Sequence, residues 1–176
     1  LRSADVAVAG DVAAALAALQ GIGGNCAPWL HRCQGNRIRF AARYDAPGNT
    51  IYAPALLKRL SELAPADALI ACDVGQHQMW VAQHCRFNHP SNHLTSGALG
   101  TMGFGLGAAI GAQMGNPGKR VLHTTGDGCF RMNCHELATV EHYNLPIISV
   151  IFNNGVLGMV RQWQNLIYDK RFSQTT

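Results

Sequence analysis

Gly126-Asp127-Gly128 and Asn153-Asn154, with residues 129–152 between them, are the pieces of this chain best suited to chemistry. If each piece ends a buried strand and the two strands are neighbours, both converge on one point. Asp127 then supplies a carboxylate and Asn154 a side-chain carbonyl oxygen. Hard oxygen ligands of this kind suit Mg²⁺ that keeps its remaining positions for a phosphate. Gly126 and Gly128 let the backbone approach a diphosphate with no Cβ in the way. Either piece alone would pass for an ordinary turn or loop, so the case rests on the elements between them.

Those elements read as strand, helix, strand. Residues 120–125 form a short buried strand that runs into the glycine turn. Asn133 caps a helix, with Glu136 as its capping-box partner, and that helix runs to about Tyr143. Asn144-Leu145-Pro146 ends it. Residues 147–152 are apolar and β-rich, the pattern of a strand buried on both faces. A right-handed crossover makes the two strands parallel neighbours. Their carboxyl ends lie side by side, where open α/β sheets bind ligands.

Two further loops have suitable chemistry. Residues 68–72 form a core strand that ends at Asp73-Val74-Gly75-Gln76-His77-Gln78, a loop leading into a helix. Gly75 permits a tight turn, the helix start offers N–H groups to an anion, and Gln76 and His77 add side-chain donors. The run from Thr95 to Gly105 is glycine-rich, with Met102 between glycines. It allows close approach to a flat ligand that a polarizable thioether could support. Gly107, Ala108, Ala109 and Gly111 read as tight helix packing, and Met102 taken alone would read as core.

Composition bounds the class. The chain has 176 residues, 14% of them charged and 48% hydrophobic. The charged fraction is well below the usual ~25%, which suits a doubly covered parallel sheet and a large subunit contact. The +4 net charge forms no basic run, which gives little support to nucleic-acid or anionic-membrane binding. No apolar stretch is long enough to span a bilayer, and the N-terminus does not read as a signal peptide. The chain opens on Leu1 and reads as starting inside a longer protein. Cys26, Cys33, Cys72, Cys85, Cys129 and Cys134 include no Cys-x-x-Cys pair, and they read as reduced thiols of a cytosolic protein. Zinc sites from Cys26, His31 and Cys33, or from His84, Cys85, His89 and His93, match no ordinary structural spacing.

Along the chain, residues 4–20 read as a short strand over residues 6–9 and then a helix capped by Asp11, with Val12, Leu16 and Leu19 on one stripe. Residues 21–50 read as a linker holding one helix over about 29–42. Pro54 opens a helix whose Leu56, Leu57, Leu60 and Leu63 share a face. The expected fold is α/β, a doubly wound parallel sheet with helices on both faces.

The paired glycine and asparagine motifs resemble the diphosphate-binding motif of thiamin diphosphate (ThDP) enzymes. Asp73-Val-Gly-Gln-His-Gln-Met-Trp80, Leu99-Gly-Thr-Met-Gly103, Met132-Asn133 and Asn153-Asn-Gly-Val-Leu-Gly-Met-Val-Arg-Gln-Trp-Gln164 are similar to blocks of the acetolactate synthase catalytic subunit. The likeness runs from about residue 51 to the C-terminus. It implies a ThDP- and Mg-binding domain over residues 51–176, ending before the family's usual C-terminal helices. Residues 1–20 would then be the end of a central domain and 21–50 a linker.

The resemblance also implies roles. Asp127, the Asn154 side chain and the Val156 carbonyl would hold Mg²⁺. Gln76, His77, Gly128 and Cys129 would contact the diphosphate, with Gly75 and Gly126 shaping its site. Gly100 would offer its carbonyl to the aminopyrimidine, and Met102 would hold the cofactor bent. Met159 and Trp163 would line the acceptor pocket. The implied reaction joins two 2-oxo acids with loss of CO₂: pyruvate goes to 2-acetolactate, or with 2-oxobutyrate to 2-aceto-2-hydroxybutyrate. FAD is expected in the full-length enzyme. So are a homo-oligomer and an activating glutamate from a first domain of a partner subunit, which leaves the isolated chain incomplete. Ala98, Gly107, Cys129 and His123-Thr124 depart from the family's usual residues, and none of them is a metal ligand. Another ThDP carboligase or decarboxylase, or a domain that holds ThDP without turnover, stays open.

Overall fold

The structure, a computed structural model, describes residues 3–45 and 50–175. It divides into two compact units, one up to Arg43 and one from Tyr44 onward. The division falls inside the stretch read as a linker.

The first unit holds helices α1 (Val12–Leu19) and α2 (Ala27–Arg39). Asp11 caps α1 as expected, its carboxylate accepting the Ala14 N–H at 2.8 Å. The strand expected over residues 6–9 does not form, because no neighbouring strand pairs with its backbone. Val12, Leu16 and Leu19 are exposed, so the α1 stripe has no core beneath it in this unit.

The second unit contains α3 (Ala53–Leu63), β1 (Leu69–Cys72), α4 (Gln76–His84), β2 (His93–Thr95), α5 (Phe104–Gly115), β3 (Val121–Gly126), α6 (Asp127–Asn133), α7 (Leu137–His142), β4 (Ile148–Phe152) and α8 (Gly158–Leu166). The four strands form one parallel sheet in the order β2-β1-β3-β4. Its two faces are covered by different helices. Ile70, Cys72 and Leu122 pack on Leu57 of α3 and Val81 of α4. Leu69, Ala71 and Val121 pack on Ala109 and Ala112 of α5. The alternation along β1 follows from the two-residue period of a strand, and it realises the doubly wound arrangement.

The strand order reverses direction between β1 and β3. The chain runs from β1 outward to β2, then crosses back over β1 to lay β3 on its other side. Such a switch point leaves a crevice at the carboxyl ends of the two central strands. The ends of β1 and β3 are the loops singled out in the sequence.

Several local expectations are corrected. The helix after the glycine turn begins at Asp127, not at Asn133. Asn133 makes no capping bond, and the Glu136 carboxylate accepts the Thr139 hydroxyl at 2.9 Å, so the capping box is absent. A 3₁₀ turn over Cys134–Glu136 separates α6 from α7. β4 is not buried on both faces: Ile148 and Ile151 are 45% and 42% exposed, because β4 is an edge strand. On α3, Leu57 is buried but Leu63 is exposed, one turn beyond the sheet-facing stripe. The packing glycine of α5 is Gly105, where a Cβ would lie 2.9 Å from His123 Nε2, whereas Gly107 and Gly111 face open space.

Candidate functional site

At the carboxyl ends of β1, β3 and β4 lies a cavity of about 220 Å³. The chain leaves β1 through Asp73, Val74 and Gly75. Gly75 has φ +154, and a Cβ there would lie 2.8 Å from His77 Cε1. Only glycine lets the first turn of α4 fold His77 back over this loop. The imidazole is 5% exposed and stacks on Phe152 at 6.2 Å between centroids, at an angle of 8°. Burial pushes its pKa down to about 4, against the pull of the Asp73 carboxylate. The ring is therefore neutral near pH 7, and its Nε2 has no hydrogen-bond partner among the described residues.

β3 delivers Gly126 and Asp127 to the opposite wall. A Cβ at Gly126 would lie 3.2 Å from His77 Cε1, and one at Gly128 would lie 2.7 Å from Leu157 Cδ2. These glycines keep a cradle open that side chains would fill. Cys129 is buried, and its thiol donates to the Val74 carbonyl at 2.9 Å. Burial raises it to about 11, so it stays a protonated donor rather than a thiolate. β4 delivers Asn154, whose side-chain oxygen accepts the Val156 N–H at 3.1 Å and fixes the turn toward α8. Across the mouth, Gln76 donates to Gln162 at 3.1 Å and ties α4 to α8.

Gly75, Gln76, His77, Gly100, Met102, Gly126, Asp127, Gly128, Cys129, Asn154, Val156 and Met159 all line this cavity. Trp163 does not. It is 56% exposed and lines a neighbouring groove with Gln164, Tyr168 and Arg171. Val74, Trp80, Phe152, Leu157 and Val160 add apolar wall, and none of them has an expected role from sequence. Phe152 carried a usable signal, since it is the aromatic residue at the carboxyl end of the strand before Asn153-Asn154. Among the described residues no group of three or more His, Cys, Asp or Glu side chains is placed to hold a metal ion. All six cysteines are unpaired.

A glycine-lined cradle with the Asp127 carboxylate, the Gln76 and Asn154 amides and the His77 ring in its walls suits a diphosphate carried on a divalent cation. The family "Thiamine pyrophosphate enzyme, C-terminal TPP binding domain" matches residues 73–176. The chain belongs to this family.

Among relatives of this ThDP-binding domain, the acetolactate synthase isozyme 2 large subunit of Escherichia coli (strain K12) is 51% identical over 176 residues, covering 100% of this chain and 32% of the relative. The acetolactate synthase large subunit of Parasynechococcus marenigrum (strain WH8102) is 44% identical over 178 residues, covering 98% of this chain and 28% of the relative. The chain thus spans about a third of the length of the curated relatives it matches. A solved structure, the thiamine diphosphate-dependent 4-hydroxybenzoylformate decarboxylase of Rhodococcus jostii RHA1, superposes with a TM-score of 0.70 at 24% identity, over 76% of this chain and 25% of that one. That likeness supports the fold. Among the described residues no helix is long and apolar enough to cross a membrane.

Proposed function

We propose that this chain supplies the diphosphate-binding half of the active site of an acetolactate synthase acting in branched-chain amino-acid biosynthesis in the cytoplasm. The observation that carries the reading is the convergence of Asp127, Asn154 and Val156 with Gly75, Gln76 and His77 on one cavity walled by Met102. The Asp127 carboxylate, the Asn154 amide oxygen and the Val156 carbonyl are suited to Mg²⁺. Gln76, His77, Gly128 and Cys129, which line the cavity, fit the diphosphate side. Gly100 and Met102 fit the ring side. ThDP, when bound, supplies an electron sink for the loss of CO₂ from a 2-oxo acid.

No glutamate lines the cavity among the described residues. In this reading the activating glutamate comes from another domain or a partner subunit of a homo-oligomer, and FAD belongs to the full-length enzyme. Full-length protein with pyruvate, ThDP and Mg²⁺ should produce acetolactate, scored colorimetrically as acetoin. The 176-residue chain alone should read background. A full-length enzyme that releases acetaldehyde instead would favour a ThDP decarboxylase. Turnover by the isolated chain would place the activating base within these residues.

The acceptor side involves α8. Met159 and Trp163 stand four residues apart and share a helix face. Val160 lines both the cavity and the groove that holds Trp163. We assign both residues to the acceptor pocket, where one methylene is worth about 1–3 kcal/mol of discrimination. In the full-length enzyme, Trp163→Leu should lower the preference for 2-oxobutyrate over pyruvate by about tenfold or more, with ThDP affinity unchanged. A competition assay of acetohydroxybutyrate against acetolactate reads this out, and an unchanged product ratio would leave Trp163 a packing residue.

A further inference from the structure

Met102 can wall the cavity only if the turn that carries it is held in place. That turn joins β2 to α5 and contains two residues at positive φ, Gly100 (+70) and Gly103 (+85). Glycine reaches this geometry without strain, but it also has many alternatives to leave for. The Gly103 peptide is gripped on both sides. Its N–H donates to Asp73 Oδ1 at 2.8 Å, and its carbonyl accepts from Asn133 Nδ2. A Cβ at Gly103 would lie 3.1 Å from that same Nδ2, so the grip closes directly on the backbone.

The two partners come from different elements, and Asp73 has little freedom to relax. Asp73 is 1% exposed. Its Oδ1 also accepts the Val74 N–H at 3.0 Å, its Oδ2 accepts the Thr125 hydroxyl at 3.3 Å, and His123 Nε2 lies 3.9 Å away. A buried carboxylate next to a loop that receives an anionic group is electrostatically adverse to that group. The bonds it makes across β1, β3 and the Gly103 turn give it a structural purpose. Asn133 is the last residue of α6, whose first residue is Asp127. One short helix therefore links the carboxylate wall of the cavity to the Met102 wall.

We propose that Asp73 and Asn133 are positioning residues that clamp the Gly103 peptide from both sides and so fix Met102 against the cofactor cavity. The effect on cofactor binding rests on the ThDP reading above; the clamp itself does not. In the full-length protein, Asn133→Ala removes the donor. Asn133→Asp keeps the size but, as a carboxylate, has no N–H to give.

Hydrogen exchange of the peptide over residues 99–105, measured without cofactor, should accelerate about tenfold in both variants, while peptides from β1 and β3 stay protected. Calorimetry with Mg²⁺ and ThDP should show roughly tenfold weaker binding in both, the scale of one lost hydrogen bond. Asn133→Gln, which restores an N–H donor, should recover part of both effects. If Asn133→Asp behaves as wild type, the contact is steric and the clamp is wrong. If Asn133→Ala loses its fold, seen as exchange spreading to β1 and β3, Asn133→Asp decides alone. If wild type itself binds no ThDP, the cofactor reading fails, and the exchange comparison still decides the clamp.

Discussion

Asp127→Ala in the full-length protein is expected to abolish Mg²⁺-dependent ThDP binding while leaving the fold intact. Asp127 is the only acidic residue that lines the cavity among the described residues. Without it, a cation beside a diphosphate is left with the neutral oxygens of Asn154 and Val156, whereas Mg²⁺ sites of this kind use one or two carboxylates plus the phosphates. Removing one partner of a desolvated charge pair costs about 3–5 kcal/mol, a loss of roughly a hundredfold to a few thousandfold in affinity. The fold should survive because the Asp127 carboxyl is half-buried and makes no hydrogen bond among the described residues. Calorimetric titration of ThDP with Mg²⁺, and again with a chelator, separates the metal-dependent part. An affinity equal to wild type in the presence of Mg²⁺ would show that the metal is held elsewhere.

The residues that make this prediction possible were legible because each follows a β-prone run. Ile148 to Phe152, apolar but for Ser149, lead to Asn153-Asn154, and Val121 to Thr125, with β-branched Val and Thr, lead to Gly126-Asp127, so glycine and asparagine mark the two strand ends. β2 was not legible. His93-Leu94-Thr95 is three residues long, too short for a period to be read, and it forms a strand because β1 offers it an edge, pairing Ile70 with His93 and Cys72 with Thr95. The stretch at residues 6–9 is the converse, β-prone in type but with no strand beside it. The order β2-β1-β3-β4, which creates the switch point, depends on the same non-local pairing and has no local signal. Asn133 departs from its expected capping role for a related reason. Its sequence context fits a cap, but α6 already starts at Asp127, and the amide is drawn to the Gly103 carbonyl thirty positions away. An apolar run also announces burial without naming the face. β4 carries that signal, yet Ile148 and Ile151 remain substantially exposed.

The buried imidazole of His77 should make the chain sensitive to mild acid. In the folded chain its pKa is about 4, pushed down chiefly by burial, with His123 adding to the shift and Asp73 and Asp127 opposing it. In the unfolded chain it returns to about 6.5. Below 6.5 the unfolded state takes up a proton that the folded state refuses, so stability falls as pH drops. The loss begins near pH 6.5 and is complete near pH 4, where the folded ring also protonates. A gap of this size corresponds to roughly 3 kcal/mol at about 1.36 kcal/mol per pH unit. His84 and His93, both also lowered by burial, add in the same direction. The contribution of His77 is therefore read as a difference. Urea unfolding of the 176-residue chain at pH 7.5, 5.5 and 4.5 should show a stability loss that is clearly smaller in His77→Gln, which cannot titrate. The variant should be less stable than wild type at pH 7.5, where the stack on Phe152 is lost, and the gap should narrow toward pH 4.5. Parallel pH slopes for the two proteins would mean that the folded ring titrates as the unfolded one does, and a buried, neutral imidazole on the diphosphate side would have to be given up.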